Sequence, residues 1–368
     1  MLKIWFYSLI LICFCGCGSD DNTTVSDNQN TYLMGGAVQG KALTLNGFVL
    51  SFAGAPLGAS GSDDGHGSTA KFNIPYDITT DGNNFYVADT FNNTIRKIVI
   101  ATGDVTTIAG KVGITGSING IGTETTFDTP RGITTDGTNL YVTEPCIIRK
   151  ISIATGAVTT LAGTYNSPGS VDGFGSDARF GRYLGGITTN GNNLFVTDSG
   201  DATIRKISIS TGEVTTFAGT SGIWQETTDG IGSAARFQGP EGITTDGKNL
   251  YIADINNTIR KIVISSREVT TIAGTPAQHF DGSGEIVGFK RIATDGTNVY
   301  VTCTYTQTIQ KLVLSTGVMT TIAGTTGTVG LNNGAALEAK FNYPTGIVSN
   351  GKSLFVVDSR NNTIRNIL

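Results

Sequence analysis

The chain has 368 residues, 39 % of them hydrophobic and 15 % charged, with a formal net charge of −4. Charges so sparse, with acid in slight excess, exclude the broad basic surface that phosphate backbones require, and no nucleic-acid partner is expected. Glycine fills 50 positions, about twice the usual ~7 %, but it recurs at fixed places and so reads as a turn residue.

Residues 1–17, MLKIWFYSLILICFCGC, set Lys3 before an apolar run over 4–14, the length of a signal-peptide core. That run is too short for a bilayer, which takes about 20 residues. Its end, Phe14-Cys15-Gly16-Cys17, resembles the lipobox of bacterial lipoproteins, with Phe14 where such boxes usually have Leu. The resemblance implies lipidation at Cys17, which becomes the mature N-terminus; the alternative is an ordinary secretory signal cut nearby. Residues 18–35 hold few apolar side chains and read as a flexible polar tether. Gly18 and Ser19, in place of Asp, resemble the pattern of lipoproteins sent to the outer membrane. The expected location is therefore the bacterial cell envelope, at the outer membrane, with the lipid anchor as the only membrane contact.

From residue 36 to 368 one pattern recurs, most clearly over 242–274, GITTDGKNLYIADINNTIRKIVISSREVTTIAG. GITT runs into Asp246-Gly247, which accepts the positive φ of a tight hairpin turn. NLYIAD ends at Asn256-Asn257, and TIRKIVI and VTTIAG complete four short strands rich in β-branched residues. No segment sustains a 3.6-residue apolar period. The isoleucine of the first strand recurs as Ile78, Ile133, Ile187, Ile243, Ile292 and Ile347, at intervals of 49 to 56 residues. Four strands per period near 50 predict a β-propeller. The last copy stops after its third strand, at 363–368, while residues 49–54, VLSFAG, form an unattached fourth strand. The predicted fold is all-β, a six-bladed β-propeller with four-stranded blades, closed by the N-terminal strand as outer edge of the C-terminal blade. Residues 41–45 also resemble a third strand, a place already filled. The repeat is similar to the NHL family of six-bladed propellers, notably bacterial lipoproteins whose blades read PxGITTDGxNLYVADxxNxTIRKI. That resemblance implies six blades and no single activity, since the architecture hosts substrate-binding domains, RNA binders, lyases and recognition modules.

Asp89, Glu144, Asp198, Asp254 and Asp358 end second strands, and Arg96, Arg149, Arg205, Arg260 and Arg365 sit in the third; Cys303 and Gln310 break both positions in blade five. Such pairs read as braces made of charge-assisted hydrogen bonds. Between blades, Asp64, Asn119, Asp172, Asp229, Asp281 and Asn333 each stand eight residues before a Phe, most with a following Gly-x-Gly. One or two carboxylates per loop fall short of the 6–8 oxygens calcium takes, so turn geometry with a Phe plug is favoured over a metal site. The two histidines, His66 and His279, lie in distant blades, which leaves zinc poorly supported, and no nucleophile signature is evident. No cofactor, metal or catalytic residue is expected. Cys146 and Cys303 fall in opposite blades and are expected to stay unpaired, since a disulfide needs Cα atoms within about 7 Å.

Two positions before the alignment isoleucine the blades supply Tyr76, Arg131, Gly185, Glu241, Lys290 and Thr345, and the next position adds Asp77 and Arg291. This ring should line the channel mouth. Its mixed charges differ from the carboxylate, His and Asn set around a metal in propeller hydrolases that resemble lactonases, and suit a polar ligand. Loops 111–126, 165–177, 221–232 and 277–288 vary most and should share that face, with Tyr165, Trp224, His279 and Phe280 on them. Trp224 is either a contact residue or a cap on a blade junction. The candidate ligand-binding residues are Trp224, Tyr76, Asp77, Arg131, Glu241, Lys290 and Arg291. They point to a monomeric recognition or scaffold module for a protein or glycan, the alternative being a lactonase- or lyase-type propeller enzyme acting on a small polar substrate.

Overall fold

The computed structural model describes residues 42–224, 227–276 and 288–368 in full, and the strands Tyr32–Leu33, Ala37–Val38, His279–Phe280 and Ile286–Val287 by backbone. The signal, Cys17 and most of the tether lie outside the described residues, as do the side chains of His279 and Phe280. Six sheets surround one axis. Their innermost strands are Asp77–Thr80, Ile133–Thr135, Leu184–Thr189, Pro240–Thr245, Phe289–Thr294 and Pro344–Ser349. From each the next strands of the blade follow antiparallel and in chain order toward the periphery, through the fourth strand in blades one to five and the third in blade six, so the fold is the six-bladed β-propeller that the repeat spacing predicts. Blade six returns to blade one, where the Gly346 N–H donates to the Tyr76 carbonyl at 2.9 Å.

The repeated DGxNxY string is one hydrogen-bonded unit. Asp246 Oδ1 accepts from the N–H of Lys248 at 2.8 Å and of Asn249 at 2.6 Å, and Oδ2 accepts from the Tyr251 hydroxyl at 2.9 Å. Gly247, at φ 88°, supplies the left-handed step. With their carboxylates committed in this way, the turns between first and second strands offer little to a ligand. The closing glycine of each fourth strand has a different cause. A Cβ on Gly54, at φ 109°, would stand 2.5 Å from the Asn362 carbonyl oxygen.

Ring closure follows the split-blade expectation. Phe48–Ala53 pairs antiparallel with Thr363–Ile367, Val49 opposite Ile367 and Ala53 opposite Ile364. One detail is corrected: Phe48–Ala53 is not the outer edge, because Gly334–Ala335 adds a fifth strand beyond it. Gly65–His66, Gly120–Ile121, Gly173–Phe174 and Gly230–Ile231 do the same in blades one to four. The cause is the inter-blade loop, which folds back on its blade at the Asp-Gly or Asn-Gly step; Asp64, for instance, accepts from Thr107 N and Oγ1 at 3.1 and 2.9 Å. Blade five has four strands among the described residues. Residues 42–46 form no strand; Leu43 and Leu45 instead pack against the cluster that holds Ile347. Tyr32–Leu33, within the expected tether, pairs with Ala37–Val38.

The core is divided among the blade boundaries, with one apolar cluster at each of the six junctions. At the closure, Ala53, Val348, Phe355 and Ile364 of blade six pack with Phe72, Phe85 and Val87 of blade one. Every blade thus buries both faces, which is why its strands carry β-branched and aromatic residues without strict alternation. Cys146 and Cys303 are buried free thiols, as expected of opposite blades.

Candidate functional site

Two sets of arginines face the same end of the ring. The first belongs to the repeat. Arg96 reaches Asp89 at 2.9 Å and Asp64 at 2.8 Å, and its guanidinium lies 5.1 Å from the Phe72 ring. Arg149, Arg205 and Arg365 pair with Glu144, Asp198 and Asp358 at 2.9, 3.4 and 2.8 Å. Asn119 and Asn333 stand in for the loop aspartate in accepting from Arg149 and Arg365. Blade four departs from the expected brace. There Asp254 accepts from the backbone N–H groups of Gln238 and Gly239, while Arg260 bonds the Arg236 and Thr228 carbonyls and Asp229. These contacts explain the loop motif as a clamp on arginine and phenylalanine.

The second set is at the channel mouth. All six alignment isoleucines line an axial cavity of about 30 Å³, roofed by Asp77 and Arg291. In blades three to six the inner strand slips register there, between Leu184/Ile187, Pro240/Gly242, Phe289/Ile292 and Pro344/Ile347. Bulges of this kind re-aim side chains, and these carry Glu241, Lys290 and Arg291 to the mouth. Arg291 Nε donates to Asp77 Oδ2 at 3.0 Å and Nη1 to Glu241 Oε2 at 3.3 Å, spanning blades one, four and five. Lys290 Nζ lies 3.4 Å from Glu241 Oε1. Tyr76 lies between two cations, 4.9 Å from the Arg291 guanidinium and 5.4 Å from that of Arg131.

Six of the seven candidates therefore converge, and five of them are at most 9 % exposed. The mouth is closed by a cross-channel ion pair drawn from the mixed-charge ring expected to line it. Burial pushes the Asp77 carboxyl up, opposed by Arg291 and the Ile78 N–H. Burial would also raise Glu241, but Lys290, Arg291 and Arg131 outweigh it and hold that group below the usual glutamate range. Arg131, Lys290 and Arg291 thus stand around Asp77 and Glu241. Among the described residues Arg291 Nη2, itself buried, has no hydrogen-bond acceptor.

Beside the mouth, between blades two and three, opens a pocket of about 190 Å³ that sequence reasoning missed apart from Arg131. Arg131, Arg182, Tyr183, Asp128, Thr129 and Asn166 are among its walls. Arg131 lies 5.9 Å from the Tyr183 ring, so Tyr183, Arg131, Tyr76 and Arg291 form one aromatic and cationic file. Arg182 and Tyr183 precede the alignment isoleucine by five and four positions, outside the two columns that supply the mouth, and the break in repetition there was the available signal. Trp224 is 48 % exposed and lines neither cavity. His66 pairs with Asp104 on the surface at 3.1 Å. Among the described residues no three His, Cys, Asp or Glu side chains are grouped as metal ligands, and no helix is long and apolar enough to cross a membrane.

No family model matches the chain. It is 30 % identical over 265 residues to NHL repeat-containing protein 2 of Gallus gallus, covering 62 % of this chain and 36 % of that protein. The chain spans about a third of the length of the curated relatives it matches first. Among solved structures, a protein of unknown function from Bacteroides thetaiotaomicron is 21 % identical with a TM-score of 0.60, over 87 % of this chain and 75 % of that one. An auxiliary nutrient binding protein from the same organism is 18 % identical with a TM-score of 0.61, over 87 % and 76 %. NHL-repeat relatives and the six-bladed ring together support an NHL-type β-propeller.

Proposed function

We propose that the protein is a recognition module of the bacterial cell envelope, anchored through Cys17 and binding a protein or glycan with its channel-mouth face. The observation that carries this reading is the convergence of Tyr76, Asp77, Arg131, Glu241, Lys290 and Arg291, drawn from four blades, where the repeat itself needs none of them. A rigid scaffold with its non-repeating residues gathered on one loop-bearing face is the usual setting for recognition. The same fold serves a protein described as nutrient-binding, so the architecture is compatible with binding at a cell surface, though fold alone assigns no ligand.

A glycan array and a pull-down with the purified full chain test the binding role. Partners should be captured by the native protein and lost with Arg131→Gln plus Glu241→Gln. Turnover of a lactone or small ester that disappears with Glu241→Gln would replace this reading with an enzymatic one. Anchoring is tested separately, by palmitate incorporation that Cys17→Ala abolishes.

A further inference from the structure

The pocket between blades two and three names a ligand class. We propose that it binds an acidic sugar, the hexuronate unit of a glycan, with Arg131 and Arg182 gripping the carboxylate and Tyr183 packed on the pyranose ring. This rests on the recognition reading and assigns its subsite.

Arg131 is half-buried and Arg182 exposed, and among the described residues neither guanidinium has a hydrogen-bond acceptor or a carboxylate in ion-pair range. Each offers five N–H donors in a planar fork that fits a carboxylate in bidentate fashion. Asp128, the one acid among the described residues of the wall, does not answer them. Asp128 spends Oδ1 on the Thr129 hydroxyl at 3.2 Å and Oδ2 on the Tyr165 hydroxyl at 3.0 Å. Next door, the buried Nη2 of Arg291 adds an unmatched donor to the same file of rings and cations. The excess positive charge therefore calls for one anionic group.

Shape decides what carries that group. Tyr183 is 59 % exposed, an aromatic wall beside polar Asn166 and Thr129 in a pocket of about 190 Å³. A pyranose fills such a space by laying C–H bonds on the ring and aiming hydroxyls at the amide and the threonine. The carboxylate of an acidic peptide would satisfy the guanidiniums yet leave the tyrosine wall and most of the volume empty.

Calorimetric titration of the purified full chain with tri-galacturonate, its methyl ester and a glutamate peptide of equal charge tests the assignment. The acid trimer should bind; esterification should weaken binding about tenfold or more, the share of a charge-assisted contact. Arg182→Gln, on an exposed side chain, should weaken it similarly with an unchanged melting temperature, and Tyr183→Ala should also weaken it. Equal affinity for acid and ester, equal affinity for the glutamate peptide, indifference to Arg182→Gln, or no binding of the trimer would each overturn the proposal. Should the array return a ligand whose affinity survives Arg131→Gln and Arg182→Gln, recognition stands and this subsite falls; if array and pull-down both find nothing, the two readings fall together.

Discussion

Arg96 and Arg131 lie in adjacent blades and carry the same guanidinium under opposite conditions. Arg96 Nη1 donates to Asp89 and the Lys71 carbonyl, and Nη2 to Asp64 and the Asp63 carbonyl. Arg131 has a tyrosine ring on either side and, among the described residues, no hydrogen-bond acceptor for its guanidinium. The first arrangement recurs with small variations in five blades, whereas the second occurs once. In a repeat protein, what the fold needs it needs in every unit, so a charged side chain that breaks the repeat answers to something other than the fold.

The widest gap between the two sets should appear on deletion. Arg96→Met strands a buried carboxylate and the acceptors that Arg96 served, and should cost about 3–5 kcal/mol, read by urea or thermal unfolding. A loss below about 1 kcal/mol would erase the distinction between the two kinds of arginine.

Next in size is the response to pH. Burial pushes Asp89 and Asp358 to about 6 and Glu144 and Asp198 to about 7, against their arginine partners. Their folded values lie above the unfolded ones near 4, so the folded state binds the proton more tightly, and each unit of difference is worth about 1.4 kcal/mol. That contribution is complete below the unfolded value and is lost as pH rises through 6 and 7. The turn carboxylates run the other way. Against the push of burial, asparagine and tyrosine hold Asp81, Asp136 and Asp246 below the usual range, and that contribution is lost as pH falls through the folded values. Calorimetry should therefore find a higher melting temperature at pH 5 than at pH 8. A melting temperature that climbs from pH 5 to 8 would mean the blade arginines keep their carboxylates ionised.

Smaller still is the effect of emptying the mouth. Asp77→Asn, Glu241→Gln, Lys290→Met and Arg291→Met together remove a buried ion-pair set with no charge left stranded among the four, and should change stability by about 1 kcal/mol or less. Binding should vanish in the same protein. The matching pair Asp89→Asn and Arg96→Met should stay destabilised, because the Asp63 and Lys71 carbonyls and Asp64 lose their donor. Least of all should be any effect of reductant. Burial raises the Cys146 thiol, and in the native protein Cys146 and Cys303 should react with a thiol reagent only on unfolding.

Where side chains repeat, the sequence was legible. The isoleucine column marked the inner strands, and the unattached 49–54 segment foretold the closure, because strand and turn chemistry are local. Counting back from that column also found Tyr76, Glu241 and Arg291. It could not show that Arg291 crosses the channel to Asp77, since that contact joins residues 214 positions apart. Arg182 and Tyr183 escaped because they fall outside the aligned columns and gain meaning only from Arg131 in the neighbouring blade. The fifth strands were hidden for another reason: two residues, Gly-x in each case, carry no strand pattern, and only the outer strand of the blade recruits them.

Pairing Phe48–Ala53 with Thr363–Ile367 also dictates an order of events. During synthesis blades one to five can each assemble as they emerge, but blade six takes Phe48–Ala53 as its fourth strand and so must capture a segment made at the beginning. Until then the cluster that includes Phe85 and Phe355 has one wall missing. Joining segments so distant is slow compared with local pairing, so ring closure should be the last step of folding. Its reversal should be the first route by which a protease enters, making the latch between the two ends the clock of the protein's lifetime.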